Sequence, residues 1–276
     1  THLSGTGVSD YGDILLLPMN NEPALDESTP TALFSHNFEN ATPGYYAVTL
    51  LNDNINAELT ATLRTGIHRY TFNKTGLAYI YLDLNHRDKL VASNINIEND
   101  STIKVYRKSE GWAKEQILYA NIRFSKPFIQ SKQLGNKKAV FVFSVSEKEG
   151  IMAKVALSAV DDDGAERNMI LENPDWNFEH IKINAAKKWN EELSKIKVSS
   201  SDKNKLSIFY TAMYHCMIHP NIYNDVDGRY RGRDLQIHQT DHNYYTVFSL
   251  WDTFRAWHPL MTIIDEERVT DFIRTF

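Results

Sequence analysis

Cysteine is almost missing from this chain: Cys216 stands alone, so no internal disulfide can form. A single thiol fits a cytosolic protein and equally an exported bacterial one that does without bridges. No apolar run approaches the roughly 20 residues of a membrane-spanning helix. There is no basic stripe, and a net charge of −5 with both signs interspersed argues against a nucleic-acid partner. GxSxG, a phosphate-cradling glycine loop, CxxC, internal repeats and low-complexity tracts are also absent, so the commonest nucleophile, nucleotide and redox signatures are lacking. What the chain does have is an ordinary apolar fraction of 42% and a generous 12% of aromatics, enough for a sizeable core. Its length suits two domains or one large one.

Residues 13–160 read as strands. The clearest is Ile55–Leu63, where Ile55, Ala57, Leu59, Ala61 and Leu63 face one way and Glu58, Thr60, Thr62 and Arg64 the other. That period of two predicts a half-buried antiparallel strand. Further short strands are expected at Tyr45–Leu51, His68–Phe72, Tyr79–Leu84, Thr102–Tyr106, Ile117–Phe124, Val140–Val145 and Met152–Ser158. Many short strands separated by Gly, Asn and Asp imply a sandwich.

The period changes after Pro174. Ile181, Ala185, Trp189, Leu193 and Ile196 recur at helical spacing, predicting one long amphipathic helix over 178–197. Asp202 is placed to cap a second helix carrying Leu206, Phe209, Met213 and Met217 inward, and Pro220 to stop it. A further helix is expected to start near Asp265. The chain opens THLSGTG without Met or signal peptide, and the pattern Val269, Phe272, Ile273, Phe276 runs to the last residue. The expectation is an internal piece of a longer protein, with targeting left unread.

Several polar clusters invite a functional reading and a structural one. The loop YNDVDGRYRGRD places Gly228, Asp225, Asp227 and Asp234 at calcium-loop spacing, but Tyr223 stands where the first carboxylate belongs. A structural turn fits better. Asp161–Gly164 reads as an acidic hairpin turn. His238 with His242, and His215 with His219, are four apart, yet Gln239 replaces the glutamate of a zinc-protease motif. Packed or solvent-facing histidines are the simpler reading, and no metal ligand is assigned in this chain. Cys216 reads as a small buried apolar residue.

The most informative stretch is FSLWDTFRAWHPL, residues 248–260. As a helix entering at Tyr244–Tyr245, it would pack Val247, Phe248, Trp251, Phe254 and Ala256, with His258 and Pro259 closing it. Asp252 and Arg255, three apart, would meet on one surface. Aromatic rings beside a carboxylate and a guanidinium equip a sugar-binding cleft; a buried structural ion pair in a Trp-rich helix fits the same residues. The turn Ser4-Gly5-Thr6-Gly7 beside His2 offers amides and hydroxyls to a polar ligand, or simply turns the chain at a domain edge.

Together, THLSGTG, PGYYAVTL, AELTATLRTGIHRYTF, GRYRGRD and FSLWDTFRAWHPL resemble glycoside hydrolase family 92, the exo-acting α-mannosidases, in order through nearly the entire chain. The resemblance implies a β + α multidomain fold: an antiparallel β-sandwich, a linker helix and the first helices of an (α/α)6 barrel. The expected division is a sandwich over 1–172 lacking its N-terminal part, a linker helix over 173–200, and the truncated start of the catalytic barrel over 201–276. It implies calcium-dependent, inverting hydrolysis of mannose-containing glycans by a periplasmic or secreted bacterial protein. It places Trp251 and Asp252 in the pocket for the terminal mannose, Arg255 orienting that carboxylate, and His2, Ser4 and Gly5 where sandwich and barrel meet. The acid and base carboxylates and most calcium ligands would lie beyond residue 276, so no catalytic pair is assigned here. A non-catalytic carbohydrate-binding module, or another sandwich-plus-barrel glycosidase or phosphorylase, is the alternative. Linkage preference and oligomeric state are unreadable.

Overall fold

The computed structural model describes residues 13–111, 113–246 and 250–276. Strands dominate the first part, in the order β1 Leu15–Met19, β2 Glu39–Thr42, β3 Tyr45–Leu50, β4 Ile55–Ala61, β5 Thr65–Phe72 and β6 Gly76–Asp83. They continue with β7 Lys89–Ile97, β8 Thr102–Glu110, β9 Gln116–Phe124, β10 Gln130–Leu134, β11 Lys138–Val145 and β12 Glu149–Ser158. Each of the eight strands expected from the sequence is present, with ends shifted by a few residues.

The strands form two antiparallel sheets, ordered β1-β6-β11-β10 and β2-β3-β4-β5-β12-β9-β8-β7. Their facing sides share one core, in which Ala78, Ile80, Leu82, Phe141 and Phe143 meet Tyr70, Phe72, Ile122, Phe124, Ile151, Ala153 and Val155. This is the sandwich that alternating short strands predict. The outer face of β6 and β11 is covered too, with Tyr79, Tyr81, Val140 and Val142 packed against Leu15, Leu17, Met19 and Leu25. Both strands therefore run almost continuously apolar.

The helices are α1 Asp162–Glu172, α2 Phe178–Leu193, α3 Lys203–Cys216, α4 Leu250–Thr253, α5 Trp257–Ile264 and α6 Glu266–Thr275. On α2, Ile181, Ala185, Trp189 and Leu193 form the less exposed face, as the spacing predicts. Phe178 and Ile181 seal the outer face of the large sheet with Ile67, Tyr45, Met152 and Trp176. The β2–β3 turn comes so close that a Cβ on Gly44 would lie 2.9 Å from the Ala185 Cβ, at a φ of +84°. Asp202 caps α3, accepting from the amides of Asn204 and Lys205, and α3 ends before Pro220.

Four expectations fail. Strand β4 keeps its half-buried alternation only at Ile55–Ala57: Ala61 and Leu63, expected on the core face, are exposed, and Thr60 on the other side is buried beneath the Gly44 turn, whose carbonyl accepts its hydroxyl at 2.6 Å. Asp161–Gly164 is no hairpin turn; Asp161 caps α1, its Oδ1 accepting from the Gly164 amide at 2.6 Å. The chain at Tyr245–Thr246 is not a helix entry but a strand paired with β13, Asn221–Ile222. Pro259 does not close a helix but sits in the first turn of α5, where its missing N–H leaves no bond unmade.

Candidate functional site

The segment after residue 249 makes one short turn, α4, breaks, and restarts as α5. The restart is anchored by Trp257, whose Nε1 donates to the Cys216 carbonyl at 2.7 Å and whose ring lies 5.4 Å from that of Phe272. Tyr245, Met261 and Phe272 form the buried centre beneath it. Burial pushes the His258 imidazole below its ordinary pKa, favouring the neutral ring.

On this footing Trp251 stands out rather than in, 82% exposed, with Asp252 and Arg255 also exposed. The expected packing of Trp251, Phe254 and Ala256 into a core is therefore corrected: the helix breaks after Thr253, and all three face outward among the described residues. Val247 and Phe248 lie outside the described residues, as do His2, Ser4 and Gly5. Arg255 lies just past that break, with its guanidinium 5.5 Å from the Phe254 ring centroid. The structure thus exposes Trp251 and Asp252, consecutive in the chain, on one short turn.

The GRYRGRD loop forms a hairpin, β14 Arg229–Arg231 with β15 Ile237–Gln239, turning between Gly232 and Gln236, where the Gly232 amide donates to the Gln236 carbonyl at 2.8 Å. The hairpin clamps the helical region to the end of the sandwich. Arg229 donates twice to Asp161, at 2.7 and 3.2 Å, and Arg231 donates to the carbonyls of Ala159 and Val160 at 2.8 and 3.0 Å. Arg64 bridges the Glu172 carboxylate at 2.7 Å and the Asn224 carbonyl at 2.6 Å. At the centre, buried Asp225 accepts from the Ser158 hydroxyl at 2.7 Å and the Asn168 amide at 2.8 Å. Burial pushes its pKa up to about 6, partly offset by those two bonds.

These partners explain why the loop is a turn and not a cation site. Asp225 is committed to Ser158 and Asn168, Asp227 to Arg229 and Arg167, and Asp234 to His238 at 3.0 Å. Among the described residues no group of three or more His, Cys, Asp or Glu side chains is arranged to hold a metal ion. The described residues therefore do not form a calcium centre of their own. His238 and His242 are each engaged elsewhere, His238 with Asp234 at 3.0 Å and His242 with Thr240 at 2.6 Å.

The Asp225 hub and its partners escaped the sequence reading. One signal was available: in Arg-Tyr-Arg a strand puts both guanidiniums on the same side, matching the acidic run at 161–163. Nothing in the sequence announces that Asp225 is buried.

Comparison with known proteins assigns the chain. The glycosyl hydrolase family 92 N-terminal domain matches residues 1–158 and the family's catalytic domain residues 164–276. The chain belongs to glycosyl hydrolase family 92. Among solved structures, a family GH92 α-mannosidase from Bacteroides thetaiotaomicron superposes with a TM-score of 0.92 at 33% identity. That match covers all of this chain and 41% of the relative. A GH92 inverting mannosidase from the same organism gives 0.80 at 25% identity, over 90% of this chain and 36% of its own. A curated relative, an uncharacterized secreted glycosidase of Arthroderma benhamiae, is 24% identical over 79% of this chain and 33% of its own length. The chain thus spans less than half of each relative. In these family terms the sandwich and the helices after it are the N-terminal domain and the start of the helical domain.

Proposed function

We propose that the complete protein is an exo-acting α-mannosidase that removes terminal α-linked mannose from N-glycans or mannans with inversion and with calcium. The observation that carries this reading is the match of the whole chain, at 33% identity, to a family GH92 α-mannosidase. The same relative has been solved with mannoimidazole, which favours mannose as the recognised sugar. In our reading residues 1–172 are the sandwich, 173–200 the linker helix and 201–276 the beginning of the (α/α)6 barrel. Trp251 and Asp252 line the pocket for the terminal sugar, the indole under the pyranose face and the carboxylate on ring hydroxyls. Arg255 completes the rim, and His2, Ser4 and Gly5 approach from the sandwich side. The exposure of Trp251 and Asp252 supports this role, because a sealed carboxylate could not reach a ligand.

Inversion needs two carboxyl groups about 6.5–9.5 Å apart, one protonating the leaving oxygen and one activating water on the opposite face. We assign neither to residues 1–276, and we place the calcium ligands mostly outside them as well. No described helix is long and apolar enough to cross a membrane. Together with the secreted glycosidase among the relatives, that is compatible with export to the periplasm or the medium.

The test is an aryl α-mannoside assay with calcium, run on the complete gene product and on the 276-residue piece. The complete protein should turn over, lose activity with chelator, and lose at least 100-fold in kcat/KM on Asp252→Ala, about 2.7 kcal/mol or more of transition-state stabilisation. Turnover by the piece alone would refute the placement of the catalytic pair. An Asp252→Ala enzyme of wild-type activity would refute the sugar pocket.

A further inference from the structure

Helix α1 covers a row of polar side chains on the large sheet that the mannosidase reading does not use. Thr65 on β5, Ala156 on β12 and Asn121 on β9 are register neighbours across three strands. Their side chains point away from the inter-sheet core, since Val155, Ala120 and Ile122 beside them point into it. Asn173 follows α1 over this face, and its carbonyl accepts from Lys154 Nζ at 2.7 Å. Thr65, Asn121 and Asn173 are all at least 99% buried. The Thr65 hydroxyl and both polar atoms of each asparagine side chain nevertheless have no protein partner. Lys154, also buried, makes that single hydrogen bond; its other neighbour is the Trp176 ring, 4.4 Å away.

Five buried polar atoms left dry would cost as much as the whole stability margin of a domain. The side chains cannot satisfy one another across the row, because the Ala156 methyl lies between Thr65 and Asn121. An ammonium also has three hydrogens, and only one is used here. Buried water is the ordinary solution, each molecule making about three bonds to otherwise unmet groups.

We propose that the joint between α1 and the large sheet is wet: about two or three internal waters bind Thr65 Oγ1, the side-chain amides of Asn121 and Asn173, and the unused hydrogens of Lys154. The catalytic-domain match begins at residue 164, inside α1, so these waters sit at the seam between the two matched domains. The waters then add replaceable bridges to the direct bonds that hold α1 on the sheet, Asn168 Nδ2 to the Leu157 carbonyl at 2.8 Å and Arg64 to Glu172 at 2.7 Å.

A high-resolution crystal structure of the complete wild-type protein, with a second crystal soaked in bromide, tests this. Water density within hydrogen-bond distance of Thr65, Asn121 and Asn173, with no anomalous bromide peak there, is the expected result. A dry site, or a bromide peak marking an anion beside Lys154, overturns it. As a second measurement, Asn121→Leu in the complete protein should lower Tm by roughly 4–8 °C by stranding the waters and their remaining partners. A rise in Tm would mean that the amide was dry all along. Should that variant not fold, the wild-type crystals still decide.

Discussion

The sandwich and the helical region after residue 200 are stabilised in opposite ways. In the sandwich, two sheets close on a continuous apolar core and a helix seals much of the outer face. Among the described residues of the helical region the buried apolar side chains are Met213, Tyr245, Met261 and Phe272, while Ile208, Trp251, Ile263 and Ile273 stand exposed. Arginine–carboxylate and arginine–carbonyl bonds, not an apolar interface, fix this region to the sandwich through the β14–β15 hairpin. A sheet pair satisfies its own backbone and apolar faces internally, whereas a few helices bury only the stripes that happen to face each other. Residues 13–200 should therefore carry most of the stability of this chain.

The largest effect should separate the two regions directly. Phe141, fully buried with ring contacts at 5.4 Å to Phe124 and 5.1 Å to Phe128, should cost about 3–5 kcal/mol on truncation to alanine. Ile263→Ala, at a side chain 79% exposed, should stay within about 0.5 kcal/mol in the 276-residue chain. Urea unfolding of both variants measures this, and equal losses would break the contrast.

A smaller effect belongs to the clamp. Asp225→Ala strands Ser158 and Asn168 and should cost about 2–3 kcal/mol in the same assay. Its pKa is raised to about 6, against about 3.9 unfolded, so the folded state binds the proton more tightly. Stability is then greatest below pH ~4, falls as pH rises to ~6, and levels off above, losing about 3 kcal/mol. Asp225→Asn should flatten that slope in pH-dependent unfolding. It should not abolish the slope, because burial raises Asp13 to about 6 as well, against the opposing Arg107 charge. A slope unchanged in the variant would show that the hub is not what titrates.

The smallest of these effects tests how α2 sits on the sheet. Gly44→Ala would meet Ala185 at a left-handed φ and should cost about 1–3 kcal/mol by thermal unfolding. Pairing it with Ala185→Gly relieves the contact but not the dihedral, so the double variant should recover only part of the loss. Full recovery would assign the whole cost to the helix contact.

Much of the sandwich was legible because a period of two reports which side of a strand is apolar. The alternating residues of β4 pointed correctly at Ile55 and Ala57, yet said nothing of the turn and helix that cover the opposite face. Helical spacing likewise found the face of α2, and Asp202 and Asp265 marked true helix starts. The candidate site was legible as a set of residue types, Trp251 beside Asp252, but not as geometry. Periodicity favoured one continuous helix through Pro259 and so buried Trp251 and Phe254, which the break after Thr253 turns outward.

By itself, then, the order of residues determined eight of the sandwich strands, the helix starts at Asp202 and Asp265 and the family, because each rests on neighbours within a few positions or on motifs kept in order. Only the tertiary structure decided that Asp161 caps a helix which Arg229 then grips, and that Asp225 is buried against Ser158, 67 residues earlier. Such polar contacts depend on which loops two independent layers bring together. No period along one chain can report a partner that the folding of another segment supplies.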